Sequence, residues 1–181
     1  MHLSDEGQEQ ARALAERVAK LRSIAAVYTS PLERARETAA PIARVRRLAL
    51  RVERDLTECD IGEWTGLSLK RARRKPEWRK VRHHPSGFRF PGGESFTEMQ
   101  ARVTGALARL VERHPGETIA LVSHADPIKA AIAHALGLPL DLFQRIAVAP
   151  GSLTAIAYGP DAPVLLTVNS RDGDLTWLQT R

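Results

Sequence analysis

The chain has 181 residues, a net charge of +6 and a single cysteine. That length supports one domain burying roughly 70% of its unfolded surface, enough core to stand without staples. Cys59 alone excludes an internal disulfide framework, no segment approaches the ~18 consecutive apolar residues of a membrane span, and the opening MHLSDEGQEQ lacks the basic-then-apolar order of a secretory signal. One domain over 1–181 is expected, soluble and cytoplasmic, with no membrane partner.

In chain order, Ser4 reads as a helix N-cap with Asp5 and Glu6 in the first turn, followed by Ala11, Leu14, Ala15, Val18 and Leu21 at helical spacing, so a helix is predicted over 5–21. Ile24 to Tyr28 has strand length. Ser30-Pro31 then supplies an N-cap and a first-turn proline for a second helix carrying Leu32, Ala35, Ala39 and Ile42. Leu48 to Val52 reads as the next strand, leading into the loop LTECDIGEWTG from Leu56 to Gly66. The polar stretch 67–93, interrupted by Pro76, Pro85 and Pro91, reads as a basic lid or insertion.

Ser95 and Glu98 form a capping-box signature ahead of a long amphipathic helix to about Arg113, which His114-Pro115-Gly116 ends. Thr118 to Val122 is an apolar strand, Asp126-Pro127 opens an Ala-rich helix closed by Gly137, and a short helical turn is expected near Asp141 to Arg145. Leu153 to Tyr158 and Val164 to Val168, separated by Gly159-Pro160-Asp161, read as a hairpin. Strands alternating with helices predict an α/β domain with a largely parallel sheet and an antiparallel hairpin at its end.

The positive charge is regional. Lys70 to Arg82 (KRARRKPEWRKVR) holds eight Lys/Arg against Glu77 alone, a larger excess than that of the whole chain. Such a run binds nucleic acid, steers an anionic substrate, or forms a solvated face. Pro76 in its middle and Trp78 as the single interleaved aromatic favour the last two, so nucleic acid is not the expected partner.

Two short stretches carry the chemistry. In YTSPLERARETA, Arg34 stands one helical turn beyond a strand; in ALVSHADPIK, His124 stands between a strand and a helix start. Ligands of doubly wound sheets sit beyond the carboxyl ends of the strands, where free helix N–H groups point outward, so an arginine and a histidine arriving there suggest an oxyanion pocket. Glu58, in the loop after the strand-like run Leu48 to Val52, is the available proton donor if it faces them, and an anionic neighbourhood would raise its pKa. Each also has an ordinary reading: a surface arginine, a satisfied histidine at a strand end, an exposed carboxylate. There is no G-x-S-x-G, P-loop, G-x-G-x-x-G after a strand, or H-E-x-x-H. His83-His84 lacks partners at ligand spacing and Cys59 has no nearby base, so neither a metal site nor a thiol nucleophile is expected.

At these residues the sequence resembles the histidine phosphatase superfamily, with its phosphoglycerate-mutase-like fold. LSDEGQEQARALAERVA, YTSPLERARETAAPIA, LTECDIGEWTG, FPGGESFTEMQAR and LVSHAD are similar, in order, to the family's L-S-x-x-G-x-x-Q-A, S-S-P-L-x-R-A-x-Q-T-A, L-x-E-x-x-x-G-x-W-x-G, P-G-G-E-S and V-S-H-G motifs. The resemblance implies a three-layer α/β/α sandwich with a mostly parallel sheet. It implies phosphomonoester hydrolysis, in preference to mutase activity, on a small phosphorylated substrate through a phosphohistidine, with no metal and no cofactor. Arg34 and His124 would hold the phosphoryl oxygens, Glu58 would protonate the leaving group, and Ala125, in place of the usual glycine, would still let the backbone approach phosphate.

The family's R-H-G strand, whose histidine is phosphorylated, has no counterpart ahead of LSDEG, so the first strand is expected to be missing. Met1 is then expected to be an internal methionine, and the chain as it stands to be nearly inert, since losing a covalent nucleophile costs on the order of 10⁶ in rate. A non-catalytic phosphate-ligand binder is the second reading, and a nucleic-acid binder through 70–82 the third.

Overall fold

The computed structural model describes residues 2–179. Helix α1 (Asp5–Ala19) starts where Ser4 caps it, its hydroxyl accepting from Gly7 N at 3.2 Å. Strand β1 (Ala26–Thr29), helix α2 (Glu33–Val45) and strand β2 (Leu50–Val52) follow. The segment after them folds as two short helices, α3 (Leu69–Ala72) and α4 (Trp78–His83). Helix α5 (Phe96–Arg113) opens with the full reciprocal capping box between Ser95 and Glu98. Strand β3 (Ile119–Val122), helix α6 (Ala125–Ala135) and strands β4 (Leu153–Ala157) and β5 (Val164–Ser170) complete the order.

Three strands form a parallel sheet in the order β2-β1-β3, with Thr29 opposite both Val52 and Val122. Side chains alternate across a strand, so β1 serves two cores. Val27 packs with Leu14, Val18, Ala39 and Ile42 of α1 and α2 on one face, while Ala26 and Tyr28 pack with Leu110 of α5 on the other. Every residue of β1 is buried, as expected of a central parallel strand covered on both sides. The hairpin β4–β5 is antiparallel as its turn signal implied, but it forms a two-stranded sheet of its own rather than the end of the parallel one.

A third cluster joins the segment 67–93 to α5 and α6. Phe88 meets Phe90 at 4.9 Å between ring centroids, Phe90 meets Trp64 at 5.3 Å, and Phe96 meets Phe143 at 5.2 Å. Such pairs add about 0.5–1.5 kcal/mol each beyond the area they bury. Ala72, Val81 and Pro85 are buried with them. The stretch therefore has a polar, basic outside on an apolar underside. Among the described residues, no helix is long and apolar enough to cross a membrane.

Candidate active site

The carboxyl edges of β1 and β3 meet through the hydrogen bond from Ser30 N to Val122 O at 2.9 Å. That ladder brings Ser30 and His124, 94 residues apart, within reach, and the Ser30 hydroxyl and His124 Nε2 are 2.7 Å apart in a buried hydrogen bond. Helix α2 accordingly does not begin at Ser30-Pro31. Its N-cap is Leu32, with no side-chain cap bond, because the Ser30 oxygen is engaged by the imidazole while accepting from Leu32 N at 3.3 Å. His124 itself is the N-cap residue of α6, so that helix starts at Ala125, one residue ahead of Asp126-Pro127.

Arg34 stands in the first turn of α2, half-buried. Its positive charge acts on both His124 and Glu58, which brings the three sequence candidates into one electrostatic neighbourhood. Burial first, and the charges of Arg34 and Arg102 second, push the His124 pKa down to about 4, so the imidazole is neutral at pH 7. Burial first, and the carboxylate of Asp126 second, raise Glu58 to about 7, against the opposing pull of its bond from Cys59 N, Arg34 and Lys129. A carboxyl raised towards neutrality thus stands in one electrostatic neighbourhood with a neutral histidine and an arginine. A phosphate dianion arriving here would be met by a guanidinium fork and would reverse the penalty on a charged His124.

The Glu58 loop is held by a residue that no sequence pattern singled out. Arg102 of α5 donates to the carbonyls of Asp55 and Thr57, both at 2.8 Å, and of Glu58 at 3.0 Å, while its other edge pairs with Glu94 at 2.5 Å. Ser123 closes the arrangement by donating to Leu56 O at 2.7 Å. Two glycines let the neighbouring chains touch backbone to backbone. A Cβ on Gly62, at φ +49°, would lie 2.2 Å from Pro91 O, and one on Gly93 would lie 2.3 Å from Asp60 O. The bonds Glu63 N to Pro91 O and Glu94 N to Asp60 O, both 2.9 Å, need that contact.

At the first turn of α6, Asp126 Oδ1 takes Lys129 Nζ at 3.2 Å, and Lys129 also donates to Gln144 Oε1 at 3.2 Å. Cys59 is buried, and burial raises its thiol far above the reactive range. His84 pairs with Asp141 rather than with His83. Among the described residues, no three His, Cys, Asp or Glu side chains gather where a metal ion could be held.

The family model of the histidine phosphatase superfamily (branch 1) matches residues 1–171. The chain is 33% identical over 174 residues to a bifunctional protein of Mycobacterium tuberculosis, a match covering 96% of this chain and 48% of the relative, so it spans about half the length of that curated protein. It is 32% identical over 169 residues to phosphoserine phosphatase 1 of Hydrogenobacter thermophilus, covering 92% of this chain and 80% of the relative. Among solved structures, a mycobacterial glucosyl-3-phosphoglycerate phosphatase complexed with VO3 superposes with a TM-score of 0.84 at 28% identity, covering 94% of this chain and 88% of that one. With the parallel sheet, the ordered motifs and the match along nearly its whole length, the chain belongs to the histidine phosphatase superfamily, branch 1.

Proposed function

We propose that this chain is a phosphomonoester hydrolase for a small phosphorylated substrate, working through a phosphohistidine without metal or cofactor. The observation that carries this reading is the meeting of two strand ends, where His124 bonds Ser30 at 2.7 Å and Arg34 stands in the first turn of the helix that follows; the displaced pKa values of His124, down to about 4, and Glu58, up to about 7, accord with it. Arg34 and His124 hold the phosphoryl oxygens, with the N–H at Ala125 opening α6 towards them. As a histidine nitrogen attacks phosphorus and the P–N bond forms, the P–O bond breaks and Glu58, in its protonated form, gives its proton to the alcohol oxygen, so the leaving group departs neutral. In the second half-reaction the carboxylate takes a proton from the water that attacks phosphorus, and the P–N bond breaks. The names of the relatives, phosphatases of phosphoserine and of glucosyl-3-phosphoglycerate, support a small phosphorylated substrate class.

A second reading, a phosphate-ligand binder without turnover, is favoured by the other histidines. His2 pairs with Glu37, His84 with Asp141, and His114 with Tyr28 and Glu117, while His83 and His134 are exposed; among the described residues none of them bonds to Arg34, His124 or Glu58. The pocket of these residues thus supplies clamp and acid, and the attacking nitrogen is the piece that separates the two readings. Thermal stabilisation by vanadate or inorganic phosphate, together with hydrolysis of a generic aryl phosphate in excess chelator, tests both. Stabilisation that R34A and H124A abolish is expected under either reading; turnover selects hydrolysis and its absence selects the binder. No stabilisation by either anion, or stabilisation that survives both substitutions, refutes the pocket.

A further inference from the structure

The basic segment is a second feature, which the chemistry above does not use. Lys70, Arg71, Arg73, Arg74, Arg79, Lys80 and Arg82 are all exposed, with Glu77 as the single carboxylate among them. Among the described residues, none of these seven side chains makes an ion pair or a side-chain hydrogen bond. Elsewhere in the molecule some arginines are engaged and others, such as Arg12, Arg36 and Arg54, are exposed and unpaired among the described residues; the segment differs in placing its cations side by side. Arg17 binds the carbonyls of Ser170, Asp172 and Gly173, Arg46 binds those of Ala19, Leu21 and Arg22, and Arg102 and Arg109 pair with carboxylates.

The platform beneath these cations is fixed. Ala72 and Val81 are buried, Trp78 packs against the aromatic cluster, and Lys75 lies over the Trp64 ring at 5.4 Å. Asp141 anchors the far end, taking Ser86 N at 2.9 Å and His84 Nδ1 at 3.2 Å. Pro76 lies in the turn between α3 and α4, and Trp78, the single aromatic of the run, packs against the core cluster, so the charges share one outward surface.

We propose that the outward face of α3, α4 and their connecting turn docks duplex nucleic acid through its phosphodiester backbone, without sequence preference. A concentrated single-sign field costs self-repulsion that a polyanion relieves, and each neutralised phosphate releases counterions. Two alternatives fit less well. Insertion into an anionic membrane needs an apolar face beside the basic one, and here the apolar residues turn into the core, with Leu69 as the large apolar exception. Single-stranded nucleic acid is held by aromatic stacking, and the one aromatic of the segment is packed inward.

Fluorescence anisotropy of a labelled mixed-sequence DNA duplex, titrated with the full chain, tests this surface. If about five of the seven cations reach phosphates, log Kd rises against log salt with a slope of about 4.5, and binding weakens roughly 500-fold between about 50 and about 200 mM salt. The quadruple variant R71Q/R74Q/R79Q/R82Q is expected to lose about 4 from that slope, and the milder pair R74Q/R79Q about 2, both melting as the parent does. Saturating vanadate is expected to leave duplex binding unchanged, since none of the seven cations is among the leading charges acting on Glu58 or His124. Absence of binding at about 50 mM salt overturns the proposal, as does a slope that the variants do not change. So do tighter binding to the single strand or to phosphatidylserine vesicles, and competition by vanadate.

Discussion

Replacing Arg102 by methionine keeps most of the side chain's volume and removes its five donors. Three main-chain carbonyls around Glu58 then lose their partner, and Glu94 is left as a carboxylate whose side chain is 17% exposed beside a site that was 19% exposed. Breaking a buried pair by removing one member costs 3–5 kcal/mol; with the pair about one-fifth exposed and Glu94 still bonded to Asp60 N, about 2–4 kcal/mol is expected here. For a chain of this size that corresponds to roughly 4–16 °C in Tm. Urea denaturation of R102M, E94Q and the double variant separates the parts, because the double variant relieves the stranded charge and should recover about 1–2 kcal/mol relative to R102M. R102K restores the charge without the planar fork and should recover less than half of the loss. A loss below about 1 kcal/mol in R102M would show that the loop carrying Glu58 is held by its own turns, and the reasoning would fail.

Glu58 and His124 make opposite pH predictions. The Glu58 pKa is raised in the fold, from 4.5 to about 7, so its contribution is intact below about 4.5 and is lost as pH rises to about 7. The His124 pKa is lowered, from 6.5 to about 4, so its contribution is intact above about 6.5 and is lost as pH falls to about 4. In denaturation series from pH 4.5 to 6.5, E58Q should therefore lose stability towards acid and H124N towards neutrality, and parallel curves for the two variants would contradict both assignments. Gly93→Ala forces a Cβ to within 2.3 Å of Asp60 O, with backbone on both sides, and should cost more than about 2 kcal/mol in urea denaturation; a neutral result would mean that the two loops part freely. Ser30→Ala removes the bond at His124 Nε2 and should weaken phosphate binding several-fold by calorimetry while moving Tm by no more than a few degrees. Unchanged affinity would show that packing alone orients the imidazole.

What could be read from the sequence was whatever is decided within a few residues. The Ser4 cap, the Ser95–Glu98 box and the pairing of β4 with β5 rest on local chemistry, and each formed where the pattern put it. Ser30 shows the limit. Its local chemistry offers a helix cap, but an imidazole from 94 residues away takes the same oxygen, and helix α2 starts later as a result. Arg102 was hidden for a different reason: its partners are mainly carbonyl oxygens, which every residue has and no pattern marks. The stretch 67–93 looked polar because its charges are consecutive, whereas Phe88 and Phe90, which tie it down, stand singly among turn residues. A turn signal likewise fixes which strands pair in a hairpin but not which sheet the hairpin joins.

Strand β1 sits between two neighbours made at very different times. Its β2 side can be satisfied by residues 50–52 almost as soon as it leaves the ribosome, but its β3 side waits for residues 119–122. At about 5–20 residues per second, that interval lasts about 5–20 s, during which a strand destined to be wholly buried has one row of amides and carbonyls unmatched. The same late closure joins Ser30 to His124, so the proposed anion site is completed at the moment this unpaired edge is covered.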